Sequence, residues 1–400
     1  MSASSLRDAA FRFCFAFFAL LNFPFPVSAI PGGEIAEEAT NTAWNVLVAP
    51  VGRALFGTTP SRTFTGSGDT SWHWAQLLVV SVISLLIALI WTIASRGPVS
   101  DRLKHWFHTY LRFALGYVML VYGSAKVIPT QFPPPSLDRL VQPFGDASPM
   151  GMLWTFMGAS PAYVIFSGLG EMAGGLLLMM RRTALIGALV TAGVMTQVAA
   201  LNFFYDVPVK IFSVFLLSEA LFLIAYDARR LRFALVREVP RVAWWKVAIR
   251  TAVVIAVCAL MIKDTREYGK QLETRSSLRG VWRVDELQVN GVAKPPLITD
   301  LTRWRRLIFD YPQGMSIQLM NDHRNRYGIE LNQARFSLKK RDTPAFRALL
   351  LYTRPDKNTL IVDGDFDGAR IHAVTHREPD NEYLLNTRGF HWINEVPFNR

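Results

Sequence analysis

The sequence is poor in the residues that most redox and cofactor chemistry requires. It has two cysteines in 400 residues, Cys14 and Cys258, and no Cys-x-x-Cys pair, which excludes a dithiol redox centre. No histidine lies deep in an apolar run, so a pair of axial haem ligands is missing. No Gly-x-Gly-x-x-Gly follows a strand-like segment, so a dinucleotide site is not indicated. We therefore expect no metal site, no evident cofactor and no self-sufficient catalytic motif.

Long apolar runs, in contrast, are abundant up to residue 262, and 51% of all residues are hydrophobic. About 20 apolar residues cross the hydrocarbon core of a membrane as a helix. Seven runs approach this length, at residues 13–30, 75–95, 110–127, 160–180, 183–202, 210–226 and 246–262. The pattern predicts an α-helical membrane bundle of about seven transmembrane helices, with the lipid bilayer as its main partner.

The basic residues that give the chain its net charge of +12 lie largely between these runs. This placement indicates topology signals, and we do not expect nucleic-acid binding. Basic loops stay on the cytoplasmic side, which places residues 96–112, 181–182 and 227–250 inside. The loops at 31–73, 128–160 and 203–209 then lie outside. We predict a multi-pass protein of the bacterial inner membrane, with the C-terminal region in the periplasm.

The start of the chain fits two interpretations. Arg7 and Arg12 precede an apolar centre, and Val27-Ser28-Ala29 resembles a cleavage site, as in a signal peptide. A retained first helix explains the same pattern. Both interpretations leave the domain division unchanged: residues 1–109 form an N-terminal membrane region with two apolar segments and an outer loop, 110–262 form the main bundle and a following helix, and 263–400 form a periplasmic β domain.

Glu171 is the most informative residue of the bundle because it lies in the middle of an apolar run. A charged side chain at that depth costs roughly 3 kcal/mol, so it tends to face the bundle interior, pair with a cation or stay protonated. Lys126, at the end of the preceding run, is the nearest candidate partner. Gly170 and Gly174 flank the acid as a small-xxx-small pair and predict close approach of another helix.

The predicted topology collects further polar residues in the outer half of the membrane. The resulting candidate membrane site consists of Lys126, Glu171, Asn202, Tyr205, Asp206 and Lys210. The proline-rich outer loop adds a second candidate site at Arg139, Asp146 and Trp154. A ligand or proton site and a purely structural ion-pair network both remain open for the first group. A surface cap without a ligand remains the alternative for the second.

Three stretches of the bundle resemble the DoxX family of bacterial membrane proteins. They are residues 115–126, which end in Tyr122-Gly-Ser-Ala-Lys126, residues 168–175 around Glu171, and residues 181–187, which begin with Arg181-Arg182. The resemblance covers about residues 110–230 and implies a four-helix membrane unit, tied in some members to quinone-linked or thiol-stress redox systems. Lys126 and Glu171 are the positions that it carries over.

Beyond residue 262 the pattern changes to short alternating runs separated by turn residues, which predicts an antiparallel barrel or sandwich. We expect strands near 280–289, 303–310, 314–320, 325–332, 335–340, 346–353, 358–363, 368–376 and 382–386. Gly280-Val281-Trp282 resembles the opening of a lipocalin-type barrel, in which Arg388 would stack on Trp282. An internal ligand cavity and a packed structural barrel are the two alternatives.

These observations favour a DoxX-like inner-membrane protein that acts as an accessory or ligand-binding component of a membrane redox or envelope system. Its partners would be an apolar small molecule and a redox partner protein. A quinone stays open as the ligand because it needs only an apolar slot and a few hydrogen-bonding groups. Two alternatives are a quinone-reactive oxidoreductase subunit that uses Glu171 in proton transfer, and a transporter, although the matched broken helices of a transporter are missing.

Overall fold

The computed structural model describes residues 3–30, 32–57, 60, 65–95, 97–233, 243–273, 276–332, 334–340, 343–379 and 383–388. The chain forms two compact units. The helical unit comprises residues 1–128 and 165–265, and the barrel unit comprises residues 129–164 and 266–400. Segment 129–164 was predicted to be part of the bundle domain, but in the structure it groups with the strands.

The described helices are, in chain order, α1 (Ala3–Asn22), α2 (Glu34–Phe56), α3 (Ser71–Ala94), α4 (Asp101–Val127), α5 (Leu137–Leu140), α6 (Pro149–Gly158), α7 (Pro161–Met179), α8 (Ala184–Phe204), α9 (Lys210–Phe233), α10 (Trp244–Glu273) and α11 (Leu384–Thr387). Short 3-10 turns follow α1 and α5. Each of the seven predicted apolar runs coincides largely with one of these helices. The basic loop 227–250 lies partly outside the described residues, which omit 234–242.

Within the described residues, four segments are long and apolar enough to cross a membrane: Leu6–Ala29, Ser71–Ala94, Pro161–Met179 and Ala184–Phe204. The expected number of about seven is too high by this criterion. The other three predicted runs lie on α4, α9 and α10, and charged residues lower their mean hydropathy. In α4, for example, both Arg112 and Lys126 interrupt the apolar sequence.

Helix α2 was missed because it carries only a narrow apolar stripe within a segment that was taken as an outer loop. Val48 of α2 is fully buried and packs with Trp72 and Ala75 of α3. The Trp72 indole donates a hydrogen bond to the Asn45 side-chain oxygen at 2.6 Å, which ties the two helices together. Helix α10 also differs from expectation, since it continues to Glu273, beyond residue 263 where the β domain was predicted to begin.

Helix α4 lies at the centre of the helical unit. Its N-terminus is capped by Ser100, whose hydroxyl accepts a hydrogen bond from the Leu103 N–H. Its apolar face is completely buried and carries Phe107, Leu111, Leu115, Met119 and Leu120. Phenylalanines of α1 and leucines of α9 join the same core. Other helices therefore cover this face of α4, which explains how the helix tolerates the buried charged residues Arg112 and Lys126.

The barrel unit contains the described strands β1 (Gly280–Val289), β2 (Val292–Ala293), β3 (Trp304–Tyr311), β4 (Gly314–Leu319), β5 (Arg324–Asn332), β6 (Arg335–Lys340), β7 (Thr343–Thr353), β8 (Thr359–Phe366) and β9 (Ala369–Arg377). Neighbouring strands pair antiparallel, and β1 also pairs with β9, which closes an eight-stranded barrel. Strand β2 adds a short hairpin to the end of β1. The predicted antiparallel barrel is confirmed.

Local sequence explains the hairpins and the interior of the barrel. Asn290-Gly291 and Asp367-Gly368 both take positive φ angles, as the two-residue turns between right-twisted strands require. The inward positions of successive strands are apolar, and side chains such as Trp282, Phe309 and Phe336 fill the interior. The strand expected at 382–386 is wrong, because residues 384–387 form the short helix α11.

Candidate functional site in the helical unit

The two residues at the centre of the predicted membrane site are in direct contact. The Lys126 ammonium, in the last turn of α4, donates to both carboxylate oxygens of Glu171 at 2.8 Å each. Both residues are buried, with Lys126 6% and Glu171 3% exposed. Each carboxylate oxygen thus accepts one charge-assisted hydrogen bond from the ammonium, a geometry that suits two ionised groups.

Four glycines set the distance between α4 and α7 on either side of this pair. A Cβ atom on Gly168 would lie 2.7 Å from the Gly123 carbonyl oxygen, and one on Gly123 would lie 2.8 Å from the Gly168 carbonyl oxygen. Gly116 and Gly175 make the same kind of close contact two turns away. Residues 168, 171 and 175 share one face of α7 by their spacing, so the glycines bring the α4 backbone up to the carboxylate.

The glycine pair that the sequence analysis selected faces another helix. A Cβ atom on Gly174 would meet the Thr191 hydroxyl of α8 at 2.6 Å, and one on Gly170 would have Val194 of α8 as its nearest neighbour at 3.8 Å. The expected close approach of another helix is thus made by α8 at Gly174, whereas α4, which carries Lys126, approaches α7 at Gly168 and Gly175. The sequence signal that was overlooked is the seven-residue spacing of glycines on both α4 and α7.

The remaining residues of the predicted membrane site gather at the connection between α8 and α9. The Asn202 amide is buried and donates to the Val209 carbonyl at 3.5 Å, while Tyr205 forms the C-cap of α8. Asp206 is exposed and pairs with Lys210 at 2.8 Å. Asp69, which the sequence analysis did not select, accepts hydrogen bonds from the first backbone N–H groups of α9 at 2.8 and 3.0 Å. These contacts cap a helix and shape a turn.

A second acid of the helical unit, Glu219 in α9, was missed. Its side chain is fully buried, and one oxygen accepts a hydrogen bond from the Asn22 amide at 2.5 Å. The other oxygen has no hydrogen-bond partner within the described part of the chain. The signal was present in the sequence, since Glu219 interrupts the run 210–226 much as Glu171 interrupts its own run.

An apolar cavity of about 420 Å³ lies between α4, the segment after α1, and α10. Aromatic rings line most of it, among them Phe25, Trp106, Phe113 and Tyr117. Valines 253, 254 and 257 of α10 close the opposite side. Three of the lining residues, Thr109, Tyr110 and Tyr117, carry a hydroxyl group. Tyr110 donates to the Phe25 carbonyl at 3.3 Å.

The predicted outer-loop site lies in the barrel unit. The Arg139 guanidinium donates to the Gln142 side-chain oxygen at 2.5 Å, and the Gln142 amide donates to the Asp146 carbonyl at 2.6 Å. Trp154 packs separately against Phe132, with ring centroids 4.9 Å apart. Arg139 and Asp146 are thus joined through one glutamine, and Trp154 belongs to another contact of the same loop.

The strongest link between this loop and the strands is Asp138, which the sequence analysis passed over. Its carboxylate accepts hydrogen bonds from Arg324 at 2.9 Å and from Arg326 at 2.8 Å. Leu137 adds an apolar contact with Val281 and Ile308 on the outside of the barrel. Asp138 and the two arginines are more than 180 residues apart in sequence, so no local sequence pattern could predict the pairing.

Two of the three residues expected to stabilise the barrel, Gly280 and Trp282, lie in its first strand, β1. Gly280 adopts a φ of 155°, and its neighbour Trp282 is buried and donates its indole N–H to the Leu278 carbonyl at 2.9 Å. Arg354 lies over the Trp282 ring, 5.4 Å from the ring centroid. Arg388 follows α11 and caps its C-terminus. The stacking of Arg388 on Trp282 stays a prediction.

Fold and site together define a class: a helical protein with segments able to cross a membrane, a buried lysine–glutamate pair between two helices, and a closed eight-stranded antiparallel barrel. The chain belongs to the same family as a Bacillus subtilis (strain 168) protein described as "Uncharacterized protein YwoB". The two are 31% identical over 121 residues, which are 30% of this chain and 75% of YwoB. No protein-family model and no solved structure matches the chain.

Proposed function

We propose that this protein is a DoxX-like inner-membrane protein that binds an apolar small molecule, such as a quinone, as an accessory component of a membrane redox or envelope system. The observation that carries the proposal is the apolar cavity of about 420 Å³ beside α4. Small-molecule sites are concave, mostly apolar and supplied with a few polar groups that orient the ligand. The aromatic rings and three hydroxyls of this cavity fit that description.

The Lys126–Glu171 pair supports the likeness to the DoxX family. The resemblance singles out these two positions, and the structure holds them together at the tight α4–α7 contact. Removing either partner would leave an uncompensated charge among apolar helices, which is strongly unfavourable. We therefore assign the pair a structural role. It fixes α4 against α7 and so holds the four helices α4, α7, α8 and α9 in one arrangement. Helix α4 in turn forms one wall of the cavity.

We further propose that α4, α9 and α10 also cross the membrane, which restores seven spans. Helix α4 has a buried apolar face, and its buried cations Arg112 and Lys126 have partners within the helical unit, so lipid would not meet them. Segment 129–164 and the strands form one compact unit, which supports their placement on the same side of the membrane. With basic loops inside, that side is the periplasm. A periplasm-dependent reporter enzyme fused to Arg400 should be active, and an expressed but silent fusion would refute this topology.

The contacts of α1 support a retained first helix over a cleaved signal peptide. Arg12 donates to the Thr92 hydroxyl and the Gly97 carbonyl at 3.0 Å each, and Asn22 donates to Glu219. Phe11 and Phe18 are part of the main core. Cleavage after Ala29 would remove Arg12, Asn22 and both phenylalanines, and with them all of these contacts. Intact mass measurement of the purified protein should therefore find the first helix still attached.

Ligand binding is tested by native mass spectrometry of protein extracted in mild detergent, followed by titration with a short-chain ubiquinone analogue. The wild type should retain an apolar molecule or bind the added analogue. Val254→Trp, which places an indole in the cavity, should reduce binding at least tenfold. Val214→Trp, on a lipid-exposed position of α9, is the matched control and should bind normally. Equal binding by all three proteins would refute the cavity as the site.

A second candidate function is a quinone-reactive subunit that receives electrons from a reduced thiol donor in the periplasm. Reduction of a quinone to a quinol takes up two electrons and two protons. Glu171 was the expected proton carrier. Glu219 is the better candidate because it is fully buried and one of its oxygens has no hydrogen-bond partner among the described residues. Its other oxygen accepts from Asn22, three residues before Phe25, which lines the cavity. Quinone-dependent oxidation of dithiothreitol, corrected for the rate without protein, should then collapse in Glu219→Gln. Turnover that is absent, or unchanged in Glu219→Gln and Glu171→Gln, would remove this function.

A further inference from the structure

The outer surface of the barrel carries a row of polar side chains that cross several strands. Gln318 of β4 lies opposite Arg306 of β3, Arg306 lies opposite Arg283 of β1, and Arg283 lies opposite His376 of β9. Their apolar neighbours in each strand point into the barrel. Directly opposed like charges destabilise an antiparallel pair. Arg306 and Arg283 would therefore repel each other unless negatively charged groups lie close to them on this surface.

Acidic side chains supply part of that charge. Arg306 donates to Glu378 at 2.7 Å and to the Gln318 side-chain oxygen at 3.2 Å. Arg283 pairs with Asp285 at 3.1 Å, and Asp285 also pairs with His376. A guanidinium carries five N–H donors in a planar fork, of which Arg306 uses those on Nε and one terminal nitrogen in these contacts.

A cavity of about 480 Å³ opens over this part of the row. Four arginines line it (Arg283, Arg305, Arg306 and Arg377), together with His376, Glu378 and Pro379. Among these lining residues Glu378 is the single carboxylate. Asp285 and Asp322 pair with Arg283 and Arg305 from the edge of the cavity. The cavity thus presents guanidinium groups to whatever enters it.

The same surface already binds a carboxylate a short distance along the row. Arg324 of β5 lies opposite Gln318, and Arg326 lies opposite Ser316. Both arginines hold the Asp138 carboxylate of the outer loop at 2.8–2.9 Å. Within the barrel unit, one end of the arginine-rich surface is therefore occupied by an anionic group of the chain itself, and the other end forms an open cavity.

We propose that this cavity on the barrel is a binding site for a phosphate group, either free phosphate or the phosphate of a lipid headgroup. Several guanidinium forks converging on one anion are the arrangement that binds phosphate most strongly, because each fork can donate two parallel hydrogen bonds. The site lies in the barrel unit and is independent of the apolar cavity in the helical unit, so either proposal can fail without the other.

The test uses the full chain in detergent and isothermal titration with two probes, inorganic phosphate and a soluble short-chain phosphatidylglycerol, at constant ionic strength. The wild type should bind at least one probe. Arg283→Gln should weaken that binding about tenfold, and the exposed position of Arg283 makes the variant safe for folding. Arg306→Gln should weaken it further. Arg335→Gln, an exposed arginine on β6, is the matched control and should bind like the wild type.

The two probes distinguish the source of the phosphate. Tighter binding of phosphatidylglycerol with the same dependence on Arg283 assigns the site to a lipid headgroup, and tighter binding of inorganic phosphate assigns it to a free anion. Failure of the wild type to bind either probe would overturn the proposal. Equal losses in Arg283→Gln and Arg335→Gln would also overturn it, because the effect would then reflect net charge alone.

Discussion

In each unit of the protein, two carboxylates differ in their partners: one is held by cations and the other by neutral donors. In the helical unit, Glu171 receives both contacts from the Lys126 ammonium, whereas Glu219 receives one hydrogen bond from the Asn22 amide. The difference separates two ways to tolerate a buried acid. A cation stabilises the ionised form, and an amide is compatible with a neutral one.

The barrel unit repeats this contrast beside water. Asp138 is held by Arg324 and Arg326, whereas Asp310 is next to the Ser136 hydroxyl and the Asp138 backbone N–H. The acids with cationic partners sit at contacts between elements far apart in the chain, so they fix tertiary structure. The acids with neutral partners leave room for a change of protonation. Variants of all four should therefore fall into two classes.

The largest effect is expected for Lys126→Met. The change leaves Glu171 ionised without a counter-charge, which costs about 3–5 kcal/mol for a buried pair. The free energy of unfolding can be measured by denaturant titration in detergent. The double variant Lys126→Met/Glu171→Leu should recover most of the loss, since both charges are gone. A single variant as stable as the wild type would show that Glu171 needs no cation.

A smaller loss is expected when the α4–α7 contact that brings the pair together is opened. Gly168→Val should lower the unfolding free energy by about 1–3 kcal/mol, because its side chain would collide with the α4 backbone. Gly170→Val is the matched control on the same helix, where the nearest neighbour leaves ordinary van der Waals space. Equal losses in the two variants would mean that helix propensity, and not the close contact, sets the stability.

The features that sequence reasoning predicted well are those with a local physical signature. An acid within an apolar run has few ways to be stable, so Glu171 and a nearby lysine could be selected together. Alternation with period two, broken by Asn-Gly and Asp-Gly, predicted eight of the described strands. Residues 384–387 escaped because a four-residue helix is too short to show a period.

The features that it missed depend on contacts between distant segments. Asp138 meets Arg324 and Arg326 only once the barrel has closed and the outer loop has packed on it. The α4–α7 contact depends on glycines at matching positions of both helices. The Gly170–Gly174 motif lies on α7 alone, and it faces α8 instead of α4. Helix α2 packs against α3 through one narrow row of residues. Composition alone therefore cannot distinguish this helix from a polar loop.

Glu219→Gln should change the unfolding free energy by less than about 1 kcal/mol, in contrast to Glu171→Gln. The glutamine keeps the shape of the acid and its oxygen still accepts from Asn22, so no buried group loses a partner. Glu171→Gln removes the carboxylate charge that balances the Lys126 ammonium and should resemble Lys126→Met. The measurement is the same denaturant titration at neutral pH. Similar losses in Glu219→Gln and Glu171→Gln would refute the distinction between the two buried acids.

The smallest effect extends the comparison to pH in the barrel unit. Burial raises the pKa of Asp310 above its ordinary value, and hydrogen bonds from Ser136 and the Asp138 N–H offset only part of this rise. The folded state therefore binds this proton more tightly than the unfolded chain does. The contribution of Asp310 to stability falls as the pH rises from its pKa in the unfolded chain, about 3.9, through its pKa in the folded protein.

Asp310→Asn removes that dependence, so the variant should gain stability relative to the wild type between pH 4 and pH 7, by about 1 kcal/mol or less for a partly exposed group. Asp356 is the control of opposite sign, since hydrogen bonds from Thr359 and the Asn358 N–H lower the pKa of that carboxyl. Asp356→Asn should lose stability relative to the wild type as the pH rises from its folded pKa through the unfolded value. Thermal unfolding of all three proteins from about pH 2 to pH 7, a range that spans both windows, gives the two slopes. Slopes of the same sign would show that net charge, and not the partners of each carboxyl, governs the response.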